Sequence, residues 1–316
     1  MKCLLVGNYG VGNIGDEALK EFFLQKFPEI NWTVVSAHPN TSAEVPRLPC
    51  GIRSFFQPWW KTLHAIWSSD AVVFGGGSLF TDIESVRACI LWWMYACIAW
   101  ITCTPYYFAF QGFGPFHTKA GQWFAYSALR HAAWVSVRDE ESVRRVETAR
   151  SSRNPPVLSF DPAFSLFVSS IQPTGAHSSN LVIIPRANSG IPFFDEVKRQ
   201  LAIQSEAVTI LLLEPDAEKK VAHELAMLAP RSRIVKVQSI HTLLQEVSAA
   251  RHAIVQRYHG ALAAIAAGVP VTIIPQAAGD KMAVLGEMVR KGCVREEWLT
   301  QIEKGVEGLR SSLRST

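Results

Sequence analysis

The chain has 316 residues, 48% of them hydrophobic, which is enough for two domains of roughly 150 residues each. Its formal net charge is only +4 and no basic block is present, so the composition excludes nucleic acid as the main partner. The six cysteines form no CxxC pair and most lie in apolar runs, so we expect reduced thiols and a cytoplasmic protein.

A glycine loop follows the first predicted strand, Lys2–Gly7, and leads into a helix predicted over Ala18–Phe27. Its glycines have the spacing of the dinucleotide fingerprint GxGxxG: Gly10, Gly12 and Gly15. That fingerprint also needs an acidic residue after the second strand to hold a ribose. The second strand, Trp32–Ser36, is followed by no carboxylate, so a bound NAD is disfavoured.

A second glycine loop is predicted at Gly75–Ser78, after a strand over Asp70–Phe74. Consecutive glycines after a buried strand indicate that another group packs closely against the backbone. That group is either a ligand or a neighbouring helix, and the sequence leaves both alternatives open. Before this loop, the sequence predicts a strand at Leu48–Ser54 and a helix at Trp59–Ser68.

The uncharged stretch Ala88–Cys103 is shorter than the about 20 residues that a membrane span needs. We therefore predict a buried helix, with a helix docked on a surface and a true span as the less favoured alternatives. Ten tryptophans are present, and six of them fall between Trp59 and Trp100. Core packing accounts for most, while some could face a lipid or sugar surface.

Arg138 lies at the carboxyl end of a predicted strand, Trp134–Val137, where it could bind a ligand or pair with Asp139 or Glu141. The neighbouring elements complete the first half of the chain: a strand at Tyr106–Gln111, helices at Gly121–Ala132 and Ser142–Ala149, and a strand at Val157–Phe160.

The stretch Phe167–Asn180 is rich in Ser, Pro and Gly and has no periodicity, so it is the predicted linker. It separates an N-terminal domain, residues 1–168, from a C-terminal domain, residues 178–316, whose final helix can pack back on the first domain. Beyond it, strands and helices alternate again: strands at Leu181–Pro185, Val208–Leu213 and Arg233–Val237, and helices at Phe193–Ser205, Ala217–Ala229, His241–Ala249, Met282–Lys291 and Glu296–Arg310. Such alternation in both halves predicts an α/β fold of two Rossmann-like parallel-sheet domains facing a cleft.

The most informative stretch is a polar turn, Gln256–Gly260, between a short strand, Ala253–Val255, and a helix, Ala261–Ala267, that precedes a strand at Val271–Ile274. Parallel sheets bind ligands at the carboxyl ends of their strands, and the amino end of a helix favours an anion. The turn contributes an arginine fork, Arg257, and a group that exchanges protons near neutral pH, His259. We therefore expect this turn to hold the phosphate and carboxylate of a small anionic donor.

Six short motifs occur along the chain: Asn8–Glu17, Phe74–Ser78, Gln111–Pro115, Ser136–Ser142, Asp161–Pro162 and Arg257–His259. Together they resemble the polysaccharide pyruvyl transferase family, from residue 1 to about residue 290. The resemblance implies a GT-B-like fold and a transferase that uses phosphoenolpyruvate as co-substrate and no cofactor. It also implies a pyruvyl ketal on a surface or cell-wall glycan, or on its lipid-linked precursor. Two departures are Tyr258, where leucine is usual, and Gly279-Asp280-Lys281, where Asp-Pro-Lys is frequent.

The resemblance implies roles for Arg257, His259, Arg138 and Lys281, and the other site residues are predicted from their positions at strand ends and glycine loops. The catalytic residues would be His259, Arg257 and Asp16, and the donor would be bound by Arg138, Arg257, His259, Lys281 and Arg186. The acceptor would be bound by Asn13, Glu17, Gly76, Gly77 and His117. Each has a purely structural alternative: an ion pair for the two arginines, a helix-start carboxylate for Asp16 and a structural histidine for His259. The other histidines lack metal-ligand spacing, so no metal is expected.

Two other functions fit the same pattern. One is a GT-B glycosyltransferase that uses a nucleotide sugar, and the other is a non-catalytic glycan-binding relative. The tryptophan-rich region between Trp59 and Trp100 also suggests peripheral contact with the inner face of the membrane, where lipid-linked glycans lie.

Overall fold

The computed structural model describes residues 1–50, 56–83, 85–150, 155–171, 180–203, 207–276, 280–292 and 295–315. The chain forms two compact units, the first comprising Met1–Val11, Leu19–Pro162 and Trp298–Thr316, and the second comprising Gly12–Ala18 and Ala163–Glu297. These units differ from the predicted domains in two ways. The boundary between them falls after Pro162, and two segments belong to the unit formed mainly by the other half of the chain: residues 12–18 to the second unit and residues 298–316 to the first.

Each unit is built on one parallel sheet. The strands of the first sheet have the order β3-β2-β1-β4-β5-β6-β7, and those of the second have the order β10-β9-β8-β11-β12. In chain order the strands are β1 Lys2–Tyr9, β2 Asn31–Ser36, β3 Glu44–Pro46, β4 Ala71–Phe80, β5 Tyr106–Phe113, β6 Trp134–Val137, β7 Val157–Leu158, β8 Asn180–Ile184, β9 Val208–Leu212, β10 Arg233–Lys236, β11 Ala250–Val255 and β12 Val271–Ile273. The sequence prediction of two parallel α/β sheets is therefore confirmed.

The helices connect the strands. They are α1 Ile14–Lys26, α2 Trp60–Ser68, α3 Val86–Ile101, α4 Lys119–Arg130, α5 Glu140–Ala149, α6 Ala163–Ser170, α7 Ile191–Ile203, α8 Lys219–Leu228, α9 Ile240–Ser248, α10 Tyr258–Ala266, α11 Lys281–Arg290 and α12 Arg295–Arg314. No helix in the described ranges is both long enough and apolar enough to cross a membrane.

The central strands of the first sheet, β1, β4 and β5, are almost wholly buried, as expected for apolar strands that are covered on both faces. On one face, helices α2 to α5 form a core with the strands through residues such as Ile66, Trp92, Tyr95 and Val146. On the other face, the rings of α1 pack against β5, as in the edge-to-face contact of Phe22 with Phe110, 5.6 Å between centroids. The second sheet has a smaller core that includes Ile183, Phe193, Ile210 and Leu225.

Helix α12 is part of the first unit from Trp298 onward. Its Trp298 ring stacks on Phe160 with 4.4 Å between the ring centroids. Gly305 of the same helix lies so close to Phe110 and Ser159 that an added Cβ would overlap both side chains. The Ser159 hydroxyl also donates a hydrogen bond to the Gln301 carbonyl, 2.9 Å away. The end of the chain therefore helps to build the core of the unit in which the chain begins.

Two local predictions are wrong, and a third is tested only in part. The predicted glycine loop Gly75–Ser78 lies inside β4, which continues to Phe80. The predicted linker begins as a helix, since α6 buries Phe164 and Phe167, and residues 172–179 lie outside the described part of the chain. The strand predicted at Leu48–Ser54 is tested only at residues 48–50, which form no strand, because residues 51–55 lie outside the described part of the chain; β3 ends just before it, at Pro46.

Strand β4 continues through its glycines, where the side chain of Gln111 in the neighbouring strand β5 hydrogen-bonds to the β4 backbone. Gly76 and Gly77 have φ angles of +84° and +82°, which interrupt the regular pairing. The Gln111 side-chain amide donates to the carbonyls of Phe74 and Gly76, at 3.1 and 3.0 Å. Pairing with β5 then resumes with a shifted register at Phe80. Glycine composition alone predicts a loop here, and tertiary hydrogen bonding overrides it.

Candidate functional site

Polar side chains follow four neighbouring strands of the second sheet. Arg186 comes after β8, Glu214 after β9, Arg257 after β11 and Gln276 after β12. Because all four strands are parallel, these residues share the carboxyl edge of the sheet, which is where ligands bind in folds of this class.

Two carboxylates hold the guanidinium of Arg257. Its Nε atom lies 2.9 Å from Glu218 Oε1, and its Nη1 atom lies 2.7 Å from Glu214 Oε1. The Nη2 atom contacts both carboxylates, at 2.5 Å from Glu218 Oε1 and 2.7 Å from Glu214 Oε2. Burial alone would lower the pKa of Arg257, but the two carboxylates outweigh it and raise that pKa. The arginine is therefore charged and fixed in orientation.

Glu218 builds the turn that presents both carboxylates. Its side chain is fully buried, and its second oxygen accepts a hydrogen bond from the Glu214 amide at 2.9 Å. It is also the N-cap residue of α8, but its side chain bonds to Arg257 and to the Glu214 amide and makes no capping hydrogen bond to the helix. Sequence reasoning missed both glutamates. The available signal was a pair of carboxylates four residues apart just beyond a buried strand.

Glu214 is the accessible member of this network, with 41% of its side chain exposed. The hydrogen bond from Arg257 lowers the pKa of Glu214 against the opposing effect of burial, and the charges of Arg257 and Arg186 lower it further. Two arginines therefore act on one solvent-accessible carboxylate. A carboxylate or phosphate from solution that took its place would meet the same positive field.

Replacing Glu214 with Gln tests this electrostatic arrangement through pH. A carboxyl whose pKa is lowered by folding stabilises the protein above its unfolded pKa, and that stability is lost as pH falls through the folded pKa. We expect wild type to exceed Glu214→Gln in unfolding free energy by up to about 1 kcal/mol at neutral pH, because the pair is partly exposed. The difference should shrink once the pH falls below the ordinary value of 4.5.

Denaturant unfolding at a series of pH values measures this difference. Glu287→Gln, at an exposed glutamate of α11, is the matched control. A difference between wild type and Glu214→Gln that grows on acidification would contradict the arrangement.

His259 lies in the first turn of α10, against the first turn of α1. A Cβ atom added to Gly15 would overlap the Nδ1, Cε1 and Cγ atoms of the His259 ring. The Asn13 side chain caps this end of α1 by accepting a hydrogen bond from the Gly15 amide at 3.1 Å. Both Gly15 and His259 belong to the second unit. Gly15, the last glycine of the GxGxxG spacing, therefore leaves the space that the His259 imidazole occupies.

Replacing Gly15 with Ala should displace this ring. We expect a loss of about 1–3 kcal/mol in unfolding free energy, the usual cost of adding a methyl group to a closely packed place. Gly286→Ala is the matched control, since Gly286 is also helical and its added Cβ would only touch Ile273 at 3.8 Å. There we expect no loss, or a gain of up to about 1 kcal/mol from helix propensity. Equal behaviour of the two variants in thermal unfolding would contradict the contact.

Other side chains complete this edge of the sheet. The Arg186 guanidinium donates to Gln276 Oε1 at 2.9 Å, and the Gln276 amide donates to Asn188 Oδ1 at 2.6 Å. The Lys281 ammonium lies over the Tyr258 ring, 5.2 Å from its centroid. The predicted donor residues of the second unit thus lie along one sheet edge. The polar turn itself is shorter than predicted, because Tyr258–Gly260 already belong to α10.

In the first unit, Arg138 pairs with a carboxylate that sequence reasoning did not choose. Its Nη1 atom donates to Asp161 at 2.9 Å, and its Nη2 atom donates to the Ser78 hydroxyl at 2.6 Å. Asp139 is more distant, at 4.0 Å. Gly112 leaves space for the guanidinium, since a Cβ there would lie 3.0 Å from Nε. Arg138 is only 8% exposed, so it organises this strand end, and its donor role stays a prediction.

The predicted acceptor residues have varied surroundings. The open side of Gly76 is filled by Leu19, so at this glycine the structure supports helix packing rather than a ligand. His117 is exposed, and its amide donates to the buried Asp82 at 2.6 Å. Asp16 and Glu17 are partly buried in the first turn of α1. The catalytic role of Asp16 and the acceptor roles of Asn13, Glu17, Gly77 and His117 stay predictions.

Solved structures of similar fold cover nearly the whole chain. Anabaena Alr3699/HepE in complex with UDP and glucose is 12% identical, with a TM-score of 0.55 over 98% of this chain and 95% of that one. UDP-GlcNAc 2-epimerase from Methanocaldococcus jannaschii is 13% identical, with a TM-score of 0.58 over 96% and 91%. Sucrose-phosphate synthase from Thermosynechococcus elongatus is 14% identical, with a TM-score of 0.51 over 100% and 94%. At these identities the likeness shows the fold alone, which is of the GT-B class.

The sequence comparisons add the family. A search of curated proteins gives no match. The sequence model of the family described as polysaccharide pyruvyl transferase matches residues 13–276, which include the first turn of α1, Arg138 and the whole carboxyl edge of the second sheet up to Gln276. The chain therefore belongs to the polysaccharide pyruvyl transferase family.

Proposed function

We propose that this protein transfers pyruvate from phosphoenolpyruvate to two hydroxyls of one sugar, forming a pyruvyl ketal. The sugar belongs to a surface or cell-wall polysaccharide or to its lipid-linked precursor. The observation that carries the proposal is the position of Glu214, whose accessible carboxylate lies in the combined field of Arg257 and Arg186. An anionic donor that displaced Glu214 would gain the same two arginines.

The charge of the donor fits this edge of the sheet. Phosphoenolpyruvate carries a phosphate and a carboxylate within a few ångströms of each other. Arginine forks match both groups with paired hydrogen bonds, and a lysine adds a point charge. Arg257, Arg186 and Lys281 supply such groups, and His259 follows Arg257 by two residues at the amino end of α10. Arg138 is the further donor residue that we assign from the first unit.

The proposed reaction has two steps. One sugar hydroxyl adds to C2 of the enol while C3 gains a proton and becomes a methyl group. The second hydroxyl then forms its bond to C2 as the C–O bond to phosphate breaks, and its proton leaves with the released phosphate or with a base. The products are the ketal and inorganic phosphate, so no redox cofactor is needed.

We assign the proton transfers to two places. His259 gives the proton to C3 or protonates the departing phosphate, and contact with Gly15 sets the position of its ring. Asp16 or Glu17, in the first turn of α1, accepts the proton of the acceptor hydroxyl. A positioned acid or base contributes about 10²–10⁴ in rate.

The alternative is a glycosyltransferase that uses a nucleotide sugar. It is supported by the fold it would share with Anabaena HepE, which was solved with UDP and glucose. Such a donor would need contacts to a base and a ribose beyond the phosphate groups. A non-catalytic glycan-binding relative is the third possibility that the test must separate.

Ligand-dependent melting followed by a transfer assay tests these functions. We expect phosphoenolpyruvate to raise the melting temperature and UDP-sugars to leave it unchanged, since a ligand that binds only the folded state stabilises it. Incubation with phosphoenolpyruvate and a panel of lipid-linked and free oligosaccharides should then add the mass of pyruvate less one water to an acceptor. Stabilisation by UDP-sugars alone would favour the glycosyltransferase, and stabilisation by glycans alone would favour the binding protein.

A further inference from the structure

Three consecutive helices, α2, α3 and α4, form one layer on the first sheet. They share one core with the strands below them, through residues such as Ile66, Leu91 and Ala125. Side chains also link α3 to α4. The ring centroids of Trp93 and Trp123 lie 6.0 Å apart, and those of Trp100 and His131 lie 5.0 Å apart. At the other side, the Thr104 hydroxyl after α3 donates to the Ile66 carbonyl in α2. The outward surface of these helices is therefore continuous.

This surface carries large aromatic side chains that the fold leaves exposed. Of the tryptophans, all of which lie in the described ranges, four are more than half exposed, and each is on one of these helices: Trp60 at 60%, Trp67 at 71%, Trp100 at 57% and Trp123 at 55%. Trp60, His64 and Trp67 are spaced along a single exposed face of α2. Ile101, at the end of α3, is 71% exposed. Tryptophan in this setting is typical of a membrane–water interface, because the ring is apolar and its N–H is polar.

The charge of the same layer has one sign. No Asp or Glu occurs in α2, nor anywhere from Ser85 to Arg138. The exposed charged residues of the three helices are all basic: Lys61, Arg87, Lys119 and Arg130. Helix α5, the next helix on the same face of the sheet, carries both signs, with Glu140 and Glu141 in its first turn and two arginines after them. The single sign is thus a property of the layer and not of the whole unit.

We propose that the outer surface of α2, α3 and α4 docks on an anionic lipid bilayer, with Trp60, Trp67, Trp100 and Trp123 at the interface. Basic residues among interfacial aromatic side chains complement the anionic headgroups of a cytoplasmic leaflet. The exposed apolar groups are spread over three helices, and a lipid bilayer can contact such a spread of groups because its surface is broad and deformable. The proposal rests on the exposure and charge of these three helices alone, so it does not depend on the reaction.

Co-sedimentation of the full-length protein with vesicles tests the docking surface. One set of vesicles contains phosphatidylcholine alone, and the other contains phosphatidylcholine and phosphatidylglycerol in equal amounts. We expect binding to the anionic vesicles and at least about tenfold weaker binding to the neutral ones, since each basic residue near an anionic surface contributes roughly a factor of five. High salt should release the bound protein.

Two pairs of variants separate the docking surface from general stickiness. Trp67→Ala/Trp100→Ala should weaken binding to anionic vesicles by about tenfold or more, and Lys61→Gln/Arg130→Gln by about twentyfold. The control is Ile203→Ala/Met227→Ala, at two side chains of the second unit that are 63% and 69% exposed. It should bind as wild type does. The truncated side chains are mainly solvent-exposed, and unchanged thermal unfolding verifies that the fold is intact.

Three results would overturn the proposal. In the first, wild type stays in the supernatant with anionic vesicles. In the second, the tryptophan and basic variants bind as tightly as the control variant does. In the third, wild type is a dimer in solution that Trp67→Ala/Trp100→Ala converts to a monomer, which would assign the surface to a second copy of the chain.

Discussion

Replacing His259 with Ala is expected to lower phosphoenolpyruvate-dependent turnover by at least about 10²-fold, because it removes the proposed proton donor at C3 or at the departing phosphate. The change deletes an imidazole in the first turn of α10 and leaves the buried alanine face of that helix untouched. We therefore expect a small change in thermal unfolding. The measurement is the initial rate of phosphate release, with circular dichroism as the check on folding.

The matched control for this prediction is His241→Ala. His241 is an exposed histidine in the first turn of α9, in the same unit. Its variant should turn over substrate as wild type does. If His259→Ala retained wild-type turnover, the assignment of the proton transfer to this residue would be wrong, while the ketal-forming reaction itself would still stand.

Replacing Arg257 with Ala is expected to cost about 3–5 kcal/mol of unfolding free energy as well as turnover. The large stability effect follows from Glu218, which is fully buried and would be left without its cationic partner. Glu214 adds little to this cost because it is partly exposed. Chemical denaturation measures the stability, and a loss below about 1 kcal/mol would mean that the carboxylates are readily solvated.

A double variant separates the donor role of Arg257 from its structural role. Arg257→Ala/Glu218→Gln removes the uncompensated charge, so most of the lost stability should return. Turnover should stay low, because Gln at position 218 restores no cation for the donor. Recovery of turnover together with stability would show that Arg257 only supports the fold. An activity measurement on Arg257→Ala alone would not distinguish these two roles.

The sequence predicted the regular elements of the fold well. Strand β6 has the predicted bounds, and most helices differ from prediction by three residues or fewer at each end. These segments have strong local signals, namely apolar runs of strand length and helix formers ended by Gly or Pro. One exception involves glycine. The stretch Gly75–Gly77 was predicted as a loop because glycine is rare inside strands, but Gln111 holds it in the sheet.

The partners of the site residues were not predictable. Arg257 binds carboxylates 39 and 43 residues away in the chain, and Arg138 binds one 23 residues away. Sequence proximity pointed instead to Asp139 and Glu141 as partners of Arg138. Spacing identifies residues that share a helix face or a turn, whereas parallel sheets bring together strand ends that are far apart in the chain. The sequence could therefore predict that both arginines lie at strand ends, but it could not predict which carboxylates pair with them.

The membership of Gly12–Ala18 in the second unit has a consequence for building chimeras between members of this family. An exchange made with a single crossover at Pro162 would combine a histidine from one parent with the glycine beside it from the other. A parent with any larger residue at position 15 would then push the imidazole aside. Grafts of the second unit should therefore carry residues 12–18 with them and leave residues 298–316 with the recipient.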